Sequence, residues 1–97
     1  MGAYVVGHIT VKDEEGFNNY AEQGLAIVAS VGGEVAASGQ LVKVLTGEHD
    51  RQMFVLLKFP DQEAVEKWYY SDGYQALIPG RNEAVDITFI SYDEPEE

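Results

Sequence analysis

The chain has 97 residues, six Lys and Arg against seventeen Asp and Glu, a formal net charge of −11 and no cysteine. That length fits one domain able to bury about 60–65% of its unfolded surface, and the 45% hydrophobic content excludes a disordered chain. A disulfide scaffold, a thiolate metal site and a cysteine nucleophile are ruled out, and the acidic balance argues against nucleic acid or an anionic membrane surface as partner.

The opening Met1-Gly2-Ala3-Tyr4-Val5-Val6-Gly7-His8 lacks the basic start of a secretory signal and reads as the first strand of a mature protein. Val6 stands where a myristoylation signal carries Ser or Thr, so no lipid is expected on Gly2. No apolar run approaches the ~18 residues of a membrane span, and a cytoplasmic location is the expectation. Tyr4–Val11, rich in β-branched residues, predicts strand one. Asp13 is placed to cap a helix with Glu14 and Glu15 in its first turn, where the helix dipole favours negative charge. Phe17, Tyr20, Ala21, Gly24, Val28 and Val31 then step by three or four along one face, until Gly32-Gly33 stops the helix.

Glu34–Leu45 reads as a second extended run with a bulge at Gly39, Thr46–Gln52 as a polar turn, and Met53–Phe59 as the third strand. Pro60-Asp61 ends that strand and caps a second helix, buried through Ala64, Val65, Trp68 and Tyr69. Ser71-Asp72-Gly73 interrupts this helix and recaps a short continuation through Tyr74, Leu77 and Ile78, which Pro79-Gly80 closes or kinks. Val85–Tyr92 is the last strand. The expected organisation is one domain over residues 1–92 and an acidic tail over 93–97. The order β-α-β-β-α-β at this length predicts an α+β, ferredoxin-like sandwich: a four-stranded antiparallel sheet with two helices on one face.

Alternation divides the strands into two faces. Val5, Ile9, Val11, Met53, Val55, Leu57, Phe59, Val85, Ile87 and Phe89 form a nearly continuous apolar set for the helices to cover. The opposite face mixes Tyr4, Val6, Phe54, Leu56, Ile90 and Tyr92 with His8, Thr10, Lys58, Asp86 and Thr88. Leaving such apolar groups in water forgoes roughly 1.5–3 kcal/mol each, so a symmetric homodimer burying sheet against sheet is expected; a twisted, partly exposed monomeric sheet is the alternative.

Few residues are placed to do chemistry. His8 lies mid-strand within expected reach of Lys58, and serves either as a general acid or base or as a hydrogen-bonded structural residue. His49, between Glu48 and Asp50, reads as part of a solvated turn rather than a metal ligand. Ser71, Tyr74 and Arg81 form the more pointed group. A guanidinium there could hold a carboxylate or phosphate in bidentate fashion, with the Tyr74 phenol as donor beside it. The structural alternative makes Ser71 a helix cap, packs Tyr74, and pairs Arg81 with Glu83 or Asp86. Trp68 and Tyr69 read as core, although Tyr69 or Tyr20 could line a cavity between helix and sheet. Glycine loops for nucleotides, GxSxG, HExxH and CxxC are all missing, so neither cofactor nor metal is expected.

The run Trp68-Tyr69-Tyr70-Ser71-Asp72-Gly73-Tyr74-Gln75-Ala76-Leu77, with Arg81 following, resembles the domain-of-unknown-function family 1330. Ala3-Tyr4-Val5-Val6, the Phe17…Tyr20 helix, Gly32-Gly33 and Phe59-Pro60 are also similar to it. The resemblance implies a dimeric α+β barrel protomer and carries Ser71, Tyr74 and Arg81 over as a candidate pocket. Members often have an acidic residue where this chain has Thr46, and another where it has Lys58. Two functions stay open: a cofactor-free binder or enzyme for a small anionic or aromatic molecule, with Tyr74 or His8 handling a proton, or a non-catalytic structural or protein-binding dimer.

Overall fold

The computed structural model describes residues 2–95, so Met1 and the end of the expected tail, Glu96 and Glu97, lie outside the described residues. The elements run β1 (Ala3–Val11), α1 (Glu14–Ser30), β2 (Glu34–Gln40), β3 (Met53–Phe59), α2 (Gln62–Tyr69), α3 (Asp72–Ala84) and β4 (Val85–Asp93). The sheet order is β2-β3-β1-β4 and every neighbouring pair is antiparallel. Each helical crossover therefore skips one strand: α1 carries the chain from β1 past β3 to β2, and α2 and α3 carry it from β3 past β1 to β4. This is the ferredoxin-like arrangement, with the expected second helix divided into two.

The helices cover the face that alternation assigned to them. Ala3, Val5, Ile9, Leu57, Phe59 and Val85 are buried there against Val28, Ala64, Val65, Trp68 and Tyr74. Gly7 belongs to the same row, and a Cβ at that position would sit 2.8 Å from the Phe89 ring. The glycine thus makes room for a large neighbour. On the opposite face Ile90 and Tyr92 are exposed and Val6, Phe54 and Leu56 half-buried, with no helix over them.

Local chemistry explains most element ends. After α1, the Gly33 N–H donates to Val28 O (2.9 Å) and the Gly32 N–H to Ala29 O (3.0 Å), while Gly32 adopts φ +86°. That is a Schellman ending, and the left-handed residue is a glycine because a Cβ is costly there. Asp61 caps α2 as expected, its Oδ1 accepting the Ala64 N–H at 2.8 Å.

Four expectations need correction. Asp13 precedes α1 in extended conformation, but its carboxylate makes no capping bond. The turn is held instead by the Lys12 and Asp13 N–H groups, both donating to Ala84 O at the end of α3 (2.8 and 3.0 Å). The second extended run stops at Gln40 rather than Leu45, because its last ladder partner is Met53, where β3 begins. Apolar composition alone cannot continue a strand without a partner strand. The irregularity in that strand falls between Val35 and Ala37, not at Gly39. Pro79-Gly80 does not close α3, which continues to Ala84 as a 13-residue helix. Pro79 lies on its exposed side, where water can satisfy the carbonyl that lost a donor.

β4 reaches Asp93, and the Glu94 N–H donates to Gly2 O at 2.9 Å, so the chain stays tied to β1 beyond Tyr92. Among the described residues, no helix is long and apolar enough to cross a membrane.

Candidate functional site

The site begins with the break between α2 and α3. Ser71 Oγ donates to Trp68 O (2.9 Å), closing α2, and accepts the Tyr74 N–H (3.1 Å), opening α3. A single hydroxyl does both because it is at once a donor to one helix end and an acceptor for the next. The new helix sends Tyr74 into the interior, where it is 0% exposed. Arg81 follows two turns later on the same side, since seven residues are close to two helical turns. Its Nη1 donates to the Tyr74 hydroxyl at 3.1 Å. From α1, Tyr20 brings its own hydroxyl to within 2.6 Å of the same oxygen.

An aromatic group surrounds this string of polar atoms. The Trp68 ring stacks on Phe59 (centroids 5.4 Å apart) and meets Phe89 edge-to-face (5.3 Å), and Tyr74 lies 5.1 Å from Trp68 and 5.2 Å from Tyr69. In this setting burial raises both phenol pKa values. The neighbouring Tyr74 raises Tyr20 further, whereas hydrogen bonds from Tyr20 and Arg81 oppose the rise at Tyr74. Burial pulls the Arg81 guanidinium down, but the phenol oxygens of Tyr74 and Tyr69 more than offset it, so its net shift is upward and it stays charged.

Counting donors shows what the cluster lacks. Tyr20 and Tyr74 own two phenolic protons and only one can occupy the bond between them. Arg81 directs Nε and Nη2 to Asn82 Oδ1 (3.3 and 3.2 Å) and Nη1 to Tyr74, leaving part of its five-proton fork unspent. Among the described residues it pairs with no carboxylate: of the two expected partners, Asp86 is paired to Lys12 at 3.6 Å, and Glu83 shares a cavity with Arg81 without an ion pair. Trp68 Nε1 is a third donor, buried with no hydrogen-bond partner. The cluster is rich in donors and short of acceptors.

Two of the cavities beside it share a wall. One, of about 330 Å³, is lined by Arg81, Trp68, Tyr69, Tyr70, Gln62, Glu66 and Ser91 with an apolar back of Val5, Val65, Ile87 and Phe89. The other, about 190 Å³ and mainly apolar, is lined by Tyr20 and Tyr74 among others; Trp68, Ile87 and Phe89 form a wall common to both. Arg81 lines the first and the phenols it contacts line the second, while a further cavity of about 300 Å³, with Asp13 and Glu83 in its wall, is lined by both Tyr20 and Arg81.

The structure thus brings Tyr74 and Arg81 together, with Ser71 committed to the helix junction. It separates His8 from them, because His8 projects from the opposite face of the sheet. Lys58 is not near His8 either. His8 is opposite Phe54 and Thr88, whereas Lys58 is opposite Tyr4, four positions or about 13 Å along the ladder. Lys58 reaches Glu94 instead, at 4.0 Å. His49 is more than a solvated turn residue: its ring packs edge-to-face on His8, with centroids 4.9 Å apart. Neither Thr46 nor Lys58 lines the Arg81 cavity. Sequence reasoning left out Gln62, Glu66 and Tyr70, although their four-residue spacing follows one side of α2 to its C-cap. It named Tyr20 only as a cavity wall, and no local signal ties that residue to Tyr74. Among the described residues, no group of three or more His, Asp or Glu side chains could hold a metal ion.

A family model described as domain of unknown function (DUF1330) matches residues 2–93. The chain belongs to the DUF1330 family. No curated protein matches it. Among solved structures, this DUF1330 chain is similar to a protein of unknown function from Rhodopseudomonas palustris (TM-score 0.84, 16% identity, covering 99% of this chain and 84% of that one). It is also similar to SnoaB, a cofactor-independent oxygenase from Streptomyces nogalater (TM-score 0.70, 12% identity, 99% and 95% covered). A third similar structure is a dimeric protein of unknown function and ferredoxin-like fold from Bacteroides fragilis (TM-score 0.61, 11% identity, 96% of each chain). At these identities the likeness establishes the fold and leaves function to the site.

Proposed function

We propose that this DUF1330 protein binds a small aromatic molecule bearing a carboxylate or carbonyl group, without a cofactor, in the cavity beside Arg81. Arg81 anchors the oxygen atoms, and the Tyr74 hydroxyl behind it holds the guanidinium in place. The observation that carries this reading is the donor surplus: a half-buried guanidinium with unspent protons and, among the described residues, no carboxylate partner, beside aromatic walls. A carboxylate or carbonyl oxygen supplies the missing acceptors, and a ring packs against Tyr69 and Trp68. The cofactor-independent oxygenase from Streptomyces nogalater supports the idea that this fold can carry chemistry without a cofactor.

Benzoate and salicylate are suitable probes. Either is expected to raise the melting temperature and to titrate calorimetrically, with affinity falling at least about tenfold in Arg81→Gln. If neither probe binds, or if Arg81→Gln binds both as the wild type does, the reading fails.

One observation favours the non-catalytic alternative. Tyr74 is wholly enclosed and Ser71 is committed to the helix junction, so the motif already has a structural task. In either case self-association is part of the proposal. The open sheet face carries exposed Ile90 and Tyr92 beside half-buried Val6, Phe54 and Leu56, apolar groups that a second copy would cover. The dimeric Bacteroides fragilis structure is consistent with a second copy covering it.

A further inference from the structure

At one end of the open sheet face lies a third cleft, whose charge runs against that of the chain. In a protein of formal net charge −11, His8, His49, Lys43 and Arg51 all line one cleft of about 450 Å³. They arrive from β1 and from both halves of the segment that joins β2 to β3. Gln52 brings the two together. Its N–H donates to Ile9 O (2.9 Å), its carbonyl accepts the Leu41 N–H (2.7 Å), and its side-chain Oε1 accepts the Val11 N–H (3.2 Å). This clamp closes residues 41–52 into a loop at the end of β1 and sets the His49 ring against that of His8.

Two features point to a ligand. Arg51 is half-buried, yet among the described residues it makes no hydrogen bond and no ion pair, despite the abundance of acids in the chain. A guanidinium partly removed from water and left unpaired is costly unless an anion meets it. Among the described residues no carboxylate lines the cleft; Glu48 and Asp50 line a separate groove of the same loop. Secondly, the remaining lining is apolar. Met53 and Phe54 are half-buried, while Val42 and Leu45 are 94% and 86% exposed, far more than a packed loop would leave them.

We propose that this cleft binds a carboxylate carried on an apolar stem, of the medium-chain fatty-acid type. Arg51 holds the carboxylate through its planar fork, Lys43 adds charge, and His8 and His49 line the same end as hydrogen-bond donors. The stem lies along Phe54 and is covered by Val42 and Leu45. The site is independent of the Arg81 cavity, which lies on the helix side of the sheet.

The test uses the full chain, labelled for NMR, with octanoate as probe and acetate and 1-octanol as controls. Octanoate is expected to shift the His8 and His49 ring signals saturably, with acetate and 1-octanol each at least about tenfold weaker, because each lacks one half of the recognition. Arg51→Gln, on the loop and outside the core, is expected to weaken octanoate about tenfold or more, and the exposed Lys43→Gln less; Lys67→Gln, on the far side of the molecule in α2, leaves it unchanged. The proposal is overturned if the ring signals stay still at saturation, if 1-octanol binds as tightly as octanoate, or if Arg51→Gln leaves the affinity unaltered. It is equally overturned if Arg51→Gln changes the oligomeric mass by light scattering while octanoate has no effect, because the cleft's occupant would then be a second copy of the chain.

Discussion

The hydroxyl of Tyr20 sits 2.6 Å from that of Tyr74, joining two helices through residues 54 positions apart. Because Tyr74 also accepts from Arg81, the two substitutions at this bond are unequal. Tyr20→Phe removes one partner and leaves Tyr74 bonded to the guanidinium, a loss of about 0.5–1.5 kcal/mol. Tyr74→Phe strips Arg81 of an acceptor and Tyr20 of its hydroxyl partner, and is expected to cost more, about 1–3 kcal/mol. Urea unfolding of both single variants and the double variant checks this. The double variant should lose less than the sum of the singles; strict additivity would mean the hydroxyls are not coupled.

The same pair sets an alkaline limit on stability. Both phenols have pKa values raised above the ordinary 10.0, first by burial. The folded state therefore holds these protons more tightly than the unfolded chain does. Their contribution is fully present below pH 10 and is lost as pH climbs above it toward the folded-state values. Melting temperatures are expected to owe nothing to these groups' titration between pH 7 and about 10, then to fall; the fall should be shallower in Tyr20→Phe. Equal slopes above pH 10 in both proteins would remove this explanation.

Much of this architecture was legible because it rests on local or periodic signals. Period-two alternation in Tyr4–Val11, Met53–Phe59 and Val85–Tyr92 separated the covered face from the open one. Gly32-Gly33, Asp61 and Ser71 marked helix ends through bonds made within a few residues. The failures share a different cause. Whether Leu41–Leu45 continues a strand depends on where β3 begins, and whether Asp13 caps α1 depends on the carbonyl that Ala84 offers. Parity put His8 and Lys58 on one face, but only the ladder register could separate them, and only the Gln52 clamp could bring His49 to His8. Tyr20 meets Tyr74 for the same non-local reason. The site was visible as a motif on α3, but its first partner comes from α1.

Ser71 gives a prediction that separates capping from binding. Ser71→Ala loses the bond to the Tyr74 N–H and the one to Trp68 O, and should destabilise the protein by about 0.5–2 kcal/mol. Ser71→Asn or Ser71→Asp restores an acceptor for the Tyr74 N–H and should recover part of the loss. None of the three substitutions should change the affinity for benzoate in protein that remains folded, since Ser71 does not line the Arg81 cavity. A benzoate affinity that falls tenfold with little change in melting temperature would return Ser71 to the binding site.

Self-association through the open face can be tested by charge as well as by mass. Ile90 and Tyr92 are exposed on this face beside half-buried Val6 and Leu56. Covering such groups gains roughly 1.5–3 kcal/mol for each large side chain fully buried. Two copies that each carry a net charge of −11 repel one another, so salt should strengthen the association by screening, the opposite of its effect on an interface held by ion pairs. Light scattering is expected to give twice the 10.7 kDa chain mass at micromolar concentration, with dissociation on dilution occurring at lower protein concentration in 0.5 M salt than in 0.05 M. Ile90→Lys should yield a monomer with an unchanged circular dichroism spectrum, because the side chain is already exposed in the isolated protomer. A wild-type mass of 10.7 kDa at every concentration and salt level would leave the apolar face without a second copy to cover it.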